Sequence, residues 1–187
     1  MKREIWWQSI DAVGLEHLRF ESTDRGAVAE GTVFGGTLDD PFDLRYRVEC
    51  DALWRVRSAR VSLASAPGGE LSFDGDGDGR WTDGRGAAFP EFDGCFEIDI
   101  SATPFTNTLP IRRIDLAIGA SAEISVIYLL IPEMTARRSR QLYTRLGNKS
   151  YRFEEKGVFN GFTAEISIDE DGFVVDYPQL FKKIGGR

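Results

Sequence analysis

The sequence predicts a mainly β protein in which a large antiparallel sheet, curled or closed into an open barrel, wraps around a single α-helix. Two observations support this prediction. Roughly a dozen segments show the alternation or the glycine-containing turns of β-strands, whereas one segment alone carries helical spacing with start and stop signals. An antiparallel sheet of that size curls, and an apolar helix on its concave face is then buried. The 187 residues suit one domain, 1–187.

The first part of the chain predicts strands joined by short turns, over residues 4–9, 15–21, 26–34, 42–51, 53–64 and 70–73. The fifth of these strands slips out of alternation near Ser58, which predicts a β-bulge. The run DGDGDG that follows resembles the start of a calcium loop, but Arg85 stands where that loop needs a glutamate. Alternating Asp and Gly therefore predict a hairpin turn there.

The central strand, residues 95–101, alternates cleanly. Ile98 and Ile100 share one face, and Glu97 and Asp99 share the other. Residues two apart on a strand lie roughly 6–7 Å apart along it, so this strand presents two carboxylates side by side.

A helix is predicted immediately downstream, with Asn107 or Thr108 as its cap and Gly119 as its stop. Its apolar stripe includes Ile118 and covers most of its circumference, which predicts burial. Arg112 and Arg113 interrupt that stripe. Arginines in such a position need carboxylate partners, and Glu97 and Asp99 on the preceding strand are the candidates.

The second part of the chain predicts a buried strand over 122–132 and two hairpins. The first hairpin pairs 140–146 with 149–154, and the second pairs 162–169 with 173–177. Residues 177–186 predict either a closing strand or a turn.

Composition excludes several classes of function. The net charge of −7 disfavours nucleic acid as a partner, and nine acidic residues against two arginines fall within 69–101. With two cysteines, Cys50 and Cys95, and a single histidine, His17, the chain supplies neither a disulfide framework nor a usual zinc site nor a nucleophilic triad. We expect His17 to be a packed or surface strand residue. No cofactor or metal is predicted.

The N-terminal residues lack the apolar region of a signal peptide, and no run is long enough for an integral membrane segment. These features predict a cytoplasmic protein with both thiols reduced.

Several strings resemble the signature of a bacterial family described as "putative glycolipid-binding", formerly a domain of unknown function. The most specific is TPFTNTLPIRR, residues 103–113. The others are WTDG from Trp81, the pair Phe89-Pro90, Asp93-Gly94-Cys95, Asp99, Gln141-x-Tyr143-x-Arg145-Leu146-Gly147, Tyr151-x-Phe153 and Asp169-x-Asp171-Gly172 through Asp176-Tyr177-Pro178. Phe89 and Phe92 replace smaller aliphatics, and Glu97 stands where Asp is usual.

The resemblance implies a sheet wrapped around one helix, a homodimer, a shape similar to lipoprotein-localisation carriers and an acidic pocket. That pocket maps to Glu97, Asp99, Asp83 and Asp93. The ligand site predicted for this chain comprises these four together with Arg112, Arg113, Asn107, Tyr143, Arg145 and Trp81.

Three functions remain open at this point. The first is binding of an amphiphile, with a glycolipid as the favoured ligand. Its sugar hydroxyls would contact the carboxylates, and Trp54, Trp81 or Tyr143 would offer a flat apolar surface. The second is a hydrolase that cleaves a glycosidic or related bond with the Glu97 and Asp99 pair. The third is a structural dimeric module, in which those carboxylates only pair with the helix arginines. Of these three hypotheses, the sequence favours a non-catalytic binding protein.

Overall fold

The computed structural model describes residues 1–64 and 69–187, and its strands form one 14-stranded sheet. Seven strands run outward from the N-terminus, each antiparallel to the one before. They are β1 (Lys2–Ser9), β2 (Leu15–Thr23), β3 (Gly26–Gly36), β4 (Pro41–Asp51), β5 (Val56–Leu63), β6 (Glu70–Gly75) and β7 (Trp81–Thr82).

The other seven strands return from the opposite edge of the sheet. They are β8 (Glu97–Ile100), β9 (Ser121–Leu130), β10 (Thr135–Gly147), β11 (Ser150–Glu155), β12 (Thr163–Ile168), β13 (Val174–Tyr177) and β14 (Phe181–Gly186). The last strand, β14, pairs antiparallel with β1 and joins the two halves. The tail is therefore a closing strand, and the prediction of a large curled antiparallel sheet with one α-helix is confirmed.

One strand pair is parallel, that of β8 with β9. The sequence predicted a large, mainly antiparallel sheet and did not identify this parallel pair. The difference arises because the helix lies between these two strands and carries the chain back to the end of the sheet from which β8 began.

The helix α1 spans Thr108–Ile114 and follows a 3-10 turn over Phe105–Asn107. The predicted extension to Gly119 was wrong, because Asp115 adopts a left-handed conformation with φ 44° and ends the helix. Ile118 is consequently 59% exposed. Asn107 occupies the cap position, as predicted, but the expected capping bond was wrong, because its side chain makes none with the described start of the helix.

The predicted turns are confirmed. Gly77 and Gly79 adopt φ values of 86° and 85° in the hairpin between β6 and β7. The pairing of β4 with β5 shifts where Val56 and Ser58 face consecutive residues of β4, which is the predicted bulge. Both C-terminal hairpins pair as expected.

The interior is divided into two apolar clusters, and β8 and β9 lie between them. Ile98 and Ile127 belong to the larger cluster, which is formed mostly by β1–β5. Val126 belongs to the smaller cluster, which is formed by β9–β13 and the end of α1. Because side chains alternate along a strand, Glu97 and Asp99 face the smaller cluster.

None of the helices within the described residues is long and apolar enough to cross a membrane. Cys50 and Cys95 are free and buried. Burial raises the pKa of the Cys50 thiol to about 12 and that of the Cys95 thiol to about 11, so both thiols are protonated at neutral pH.

Candidate functional site

A cluster of polar side chains lines the wall of the smaller apolar cluster, with Asp99 at its centre. The Asp99 carboxylate accepts hydrogen bonds from Thr106 Oγ1 at 2.8 Å and from Gln141 Nε2 at 2.6 Å. The same Gln141 nitrogen lies 3.5 Å from Glu155 Oε2. One amide therefore bridges two carboxylates, which places Asp99 and Glu155 beside the same side chain.

The register of the sheet produces this arrangement. Gln141 of β10 lies directly opposite Glu155 of β11, and Asp99 lies opposite Tyr128 of β9. Their side chains share one face of the sheet because directly paired residues point the same way. Thr106 arrives from the 3-10 turn before α1.

Glu155 is held more tightly than Asp99. The residue is 3% exposed, and its carboxylate accepts hydrogen bonds from the Ser139 hydroxyl and, at 2.8 Å, from the Gly157 N–H. Ser139 Oγ also accepts a bond from the Val158 N–H at 2.9 Å. These contacts fix the segment after β11 against the carboxylate pair.

The environment of Asp99 favours the protonated form of its carboxyl group. Burial raises the pKa of the Asp99 carboxyl, the Gln141 and Thr106 hydrogen bonds lower it, and the Glu155 charge raises it further. Within the described residues, neither Asp99 nor Glu155 forms an ion pair with a lysine or arginine. The nearby phenols of Tyr128 and Tyr177 have raised pKa values, mainly from burial and then from the Asp99 charge. They remain neutral hydrogen-bond donors at physiological pH.

Glu97 and Arg113 form a separate ion pair beside this cluster. Glu97 is 1% exposed, and one of its oxygens accepts a hydrogen bond from Arg113 Nε. Burial raises the pKa of the Glu97 carboxyl, and Arg113 opposes that shift. The Arg113 guanidinium also lies 5.1 Å from the centre of the Phe96 ring. The pair thus joins α1 to β8.

The expectation that both helix arginines pair with β8 was wrong for Arg112. Its guanidinium lies 4.7 Å from the Trp54 ring centre, and Nη1 donates to the Asp171 carbonyl at 3.4 Å. Successive helical residues point about 100° apart, so the two arginines reach different elements.

Asn107 and Tyr143 lie together at the start of α1. The buried Tyr143 hydroxyl donates to Asn107 Oδ1 at 2.9 Å, and Asn107 Nδ2 donates to the Pro104 carbonyl at 3.3 Å. This contact replaces the predicted capping bond. The ring of Tyr143 is 2% exposed, so it contributes packing to the wall of the site.

The remaining predicted residues lie elsewhere. Asp83 sits in an exposed turn and accepts backbone N–H bonds from Arg85 and Ala87, which lower its pKa. Asp93 is exposed. Trp81 is 2% exposed and donates from Nε1 to the Cys95 carbonyl at 2.8 Å.

Arg145 anchors the segment that follows the helix. Its Nη1 donates to the Leu116 carbonyl at 2.7 Å and lies 3.5 Å from Asp115. Of the ten predicted site residues, the structure therefore gathers Glu97, Asp99, Arg113, Asn107 and Tyr143, and places Arg112, Arg145, Asp83, Asp93 and Trp81 apart from them.

Sequence reasoning missed Gln141 and Glu155 as members of the cluster. Both carried a signal: Gln141 is two residues before Tyr143, and Glu155 is two residues after Phe153. A polar residue on the aromatic face of a strand is unusual, because buried polar groups require partners.

Comparison with known proteins agrees with this architecture. The family model described as "Putative glycolipid-binding" matches residues 4–183. The crystal structure of a DUF1089 family protein from Pseudomonas aeruginosa is 39% identical, with a TM-score of 0.81 over 91% of this chain and 92% of that chain. A β-barrel-like protein of the DUF1849 domain of unknown function from Brucella abortus shares the fold, with a TM-score of 0.61 at 8% identity over 99% of this chain and 96% of that one. None of the curated protein sequences matches significantly. With a match over nearly its whole length, the chain belongs to the family described as "Putative glycolipid-binding".

Proposed function

We propose that the chain binds an amphiphile, a glycolipid, and that sugar hydroxyls are held by Asp99, Gln141 and Glu155. The observation that carries the proposal is the shared amide of Gln141 between two carboxylates that have no cation partner among the described residues. Carboxylates are strong acceptors for hydroxyl donors, and an amide can donate to one group while accepting from another. Vicinal hydroxyls of a sugar match this set.

The apolar part of the ligand is accounted for by the aromatic residues of the smaller cluster. Tyr143, Phe153 and Tyr177 pack edge to face there, and Phe162 is half-buried against them. A site with a few polar groups in a mostly apolar setting is typical of small-molecule binding. Asp99 is half-buried, so it is the member of the carboxylate pair that a ligand reaches first.

The pair of Glu97 with Arg113 supports the site without contacting ligand. By joining α1 to β8, it holds Asp99 and Thr106 in register with each other. We further propose that the homodimer implied by the family resemblance is the binding unit.

The test is native mass spectrometry of the purified protein before and after organic extraction, with Asp99→Asn as the site variant. Asp93→Asn is the matched control, because it makes the same chemical change at an exposed position. We expect wild type and Asp93→Asn to carry a lipid adduct that extraction removes, and the folded Asp99→Asn protein to lose it. Rebinding is then measured with a monoglycosyl diacylglycerol and with diacylglycerol alone.

Preference for the glycosylated lipid, lost in Asp99→Asn, supports the proposal. Equal binding of both lipids, or unchanged binding by the variant, contradicts it. Release of free sugar from the probe by wild type would instead identify the Asp99 and Glu155 pair as hydrolytic.

A further inference from the structure

A cavity lies where the β1–β2 turn meets the segment after β8, and none of Asp99, Gln141 and Glu155 lines it. It has a volume of about 210 Å³. Its wall is mixed: polar groups of Ser9, Asp11 and Ser101 contribute to it, beside the apolar side chains of Trp7, Val13, Leu15, Val33, Phe42 and Phe181. The rim is apolar, since Val13 is 63% exposed and the neighbouring Ile10 and Phe34 are 52% and 59% exposed.

Glu16 lines this cavity although its strand position is that of a core residue. It shares the inward face of β2 with Leu18 and Phe20 and is 3% exposed. One carboxylate oxygen, Oε1, accepts bonds from the Tyr46 hydroxyl and, at 2.8 Å, from Thr103 Oγ1. The other oxygen, Oε2, is buried and has no hydrogen-bond partner among residues 1–64 and 69–187. A buried acceptor of this kind costs stability unless a ligand completes it.

The charge around the cavity has one sign. Among the described residues that line it, Asp11 and Glu16 are acidic, and none is a lysine, arginine or histidine. The groups that face the Glu16 carboxyl from other elements are hydroxyls, Tyr46 on β4 and Thr103 after β8. Burial raises the pKa of Glu16 to about 7, with the two hydroxyl bonds opposing the shift. At slightly alkaline pH the cavity thus contains a buried carboxylate that has no cationic partner in the part of the chain that the structure describes.

We propose that this cavity binds a small amphiphilic primary amine, whose ammonium group pairs with Glu16 Oε2 while its apolar body packs on Trp7 and Phe42. An ammonium supplies both the missing donor and the missing positive charge. The cavity is smaller than those that hold drug-sized ligands. The apolar body of the amine is therefore a short chain, and its end extends out of the cavity past the exposed apolar side chains of the rim. This site is separate from the one proposed for glycolipid.

The test compares n-hexylamine with 1-hexanol by isothermal titration calorimetry at pH 8. The two probes have the same chain, so their difference isolates the ammonium. We expect wild type to bind hexylamine at least about tenfold more tightly than hexanol. Lowering the pH to 5.5 should remove this preference by protonating Glu16, while hexanol binding stays unchanged.

The site variant is Glu16→Gln, which keeps an acceptor for Tyr46 and Thr103 but removes the charge. We expect it to lose the preference for the amine, and Glu21→Gln, an exposed position on the same strand, to keep it. Equal binding of the two probes by wild type, no binding of either, or a preference that survives in Glu16→Gln overturns the proposal.

A second variant covers the case in which Glu16→Gln fails to fold. Ala102→Leu narrows the cavity without touching the carboxylate and should abolish hexylamine binding. Unchanged binding would place the amine elsewhere and overturn the proposal. Neither variant should alter the glycolipid adduct seen by mass spectrometry, so the two proposals fail independently.

Discussion

Two adjacent arginines, Arg112 and Arg113, show how strongly the burial of its partner determines what a side chain contributes to the stability of the fold. Arg113 neutralises a carboxylate that is 1% exposed, whereas Arg112 lies at the surface and stacks on Trp54. Removing one partner of a buried ion pair leaves an unpaired buried charge, which is far more costly than losing a surface contact.

We therefore predict that Arg113→Ala lowers the free energy of unfolding by about 3–5 kcal/mol. The control Arg112→Ala should lower it by about 1 kcal/mol or less, since it loses an exposed cation–π contact. Urea denaturation followed by tryptophan fluorescence measures both. Equal losses in the two variants would show that Glu97 is not stabilised by Arg113.

A second residue-scale prediction concerns Glu16. Its pKa of about 7 in the folded protein exceeds the ordinary value of 4.5, so the folded state binds more protons between these two values. The contribution of Glu16 to the free energy of unfolding is therefore fully present below pH 4.5. It decreases as the pH rises from 4.5 through 7. The loss is on the order of 3 kcal/mol.

Glu16→Gln removes that dependence because the amide does not titrate. We expect the difference in unfolding free energy between wild type and Glu16→Gln to shift against wild type as the pH rises from 5 to 8. Chemical denaturation at several pH values measures it. A difference that stays constant with pH would mean that Glu16 titrates at its ordinary value.

The sequence identified Asp99 and Glu97 correctly as neighbours on one face, because strand alternation alone determines that. It did not identify Gln141 or Glu155 as their companions, since that depends on the register of β10 with β11 and on which strand lies beside β8. Glu16 was overlooked for a different reason. Its place beside Leu18 and Phe20 in the alternation was visible, but the hydroxyls that hold it come from positions 46 and 103.

At the scale of elements, the end of helix α1 shows that the local sequence pattern does not always determine where a helix stops. The apolar spacing through Ile118 favoured a longer helix, but Arg145 of β10 binds the Leu116 carbonyl and the Gly119 N–H donates to the Arg145 carbonyl at 2.7 Å. These tertiary hydrogen bonds replace the helical ones after Asp115. Hairpin turns were predicted better because their glycines encode the required backbone conformation locally.

The edges of the sheet, β7 and β8, are joined by a small number of contacts. Trp81 Nε1 donates to the Cys95 carbonyl at 2.8 Å, and the Gly94 N–H donates to the Gly79 carbonyl at 2.8 Å. The 3-10 turn Pro90–Phe92 lies between the two strands in sequence. These two hydrogen bonds, which we call the seam, connect the edges of the sheet in place of direct pairing between β7 and β8.

We predict that Trp81→Phe destabilises the protein by about 2 kcal/mol, because it removes the buried donor of that seam. Trp6→Phe is the matched control, since Trp6 is 38% exposed, stacks on His17, and makes no hydrogen bond from its indole to any described residue. It should cost less than about 1 kcal/mol. Thermal unfolding monitored by circular dichroism measures both variants, and a larger loss for Trp6→Phe would contradict the role given to the seam.

At the scale of the whole molecule, the order of the strands is almost the order of the chain. Each strand pairs with a sequence neighbour except at the junction of β1 with β14. That junction includes reciprocal backbone bonds between Glu4 and Arg187 at 3.0 Å, so the chain closes only when its two ends meet. No local pattern in the sequence predicts such a pairing, so the sequence alone is compatible with either a strand or a turn for the tail.

Circular permutation tests the kinetic consequence of this closure. Joining Arg187 to Met1 through a linker of about five Gly and Ser residues, and opening the chain between Arg85 and Gly86, would make every strand pair local. Residues 84–86 are exposed in the loop between the sheet edges, so the cut removes no core contact. Folding slows as contacts become more distant in sequence, and we therefore expect the permutant to refold about tenfold faster than wild type in stopped-flow measurements.

A control permutant with the same linker, opened between Asn148 and Lys149, separates the neighbouring strands β10 and β11 and should not share the acceleration. An unchanged refolding rate in the permutant opened between Arg85 and Gly86 would show that closure of β1 with β14 does not limit folding.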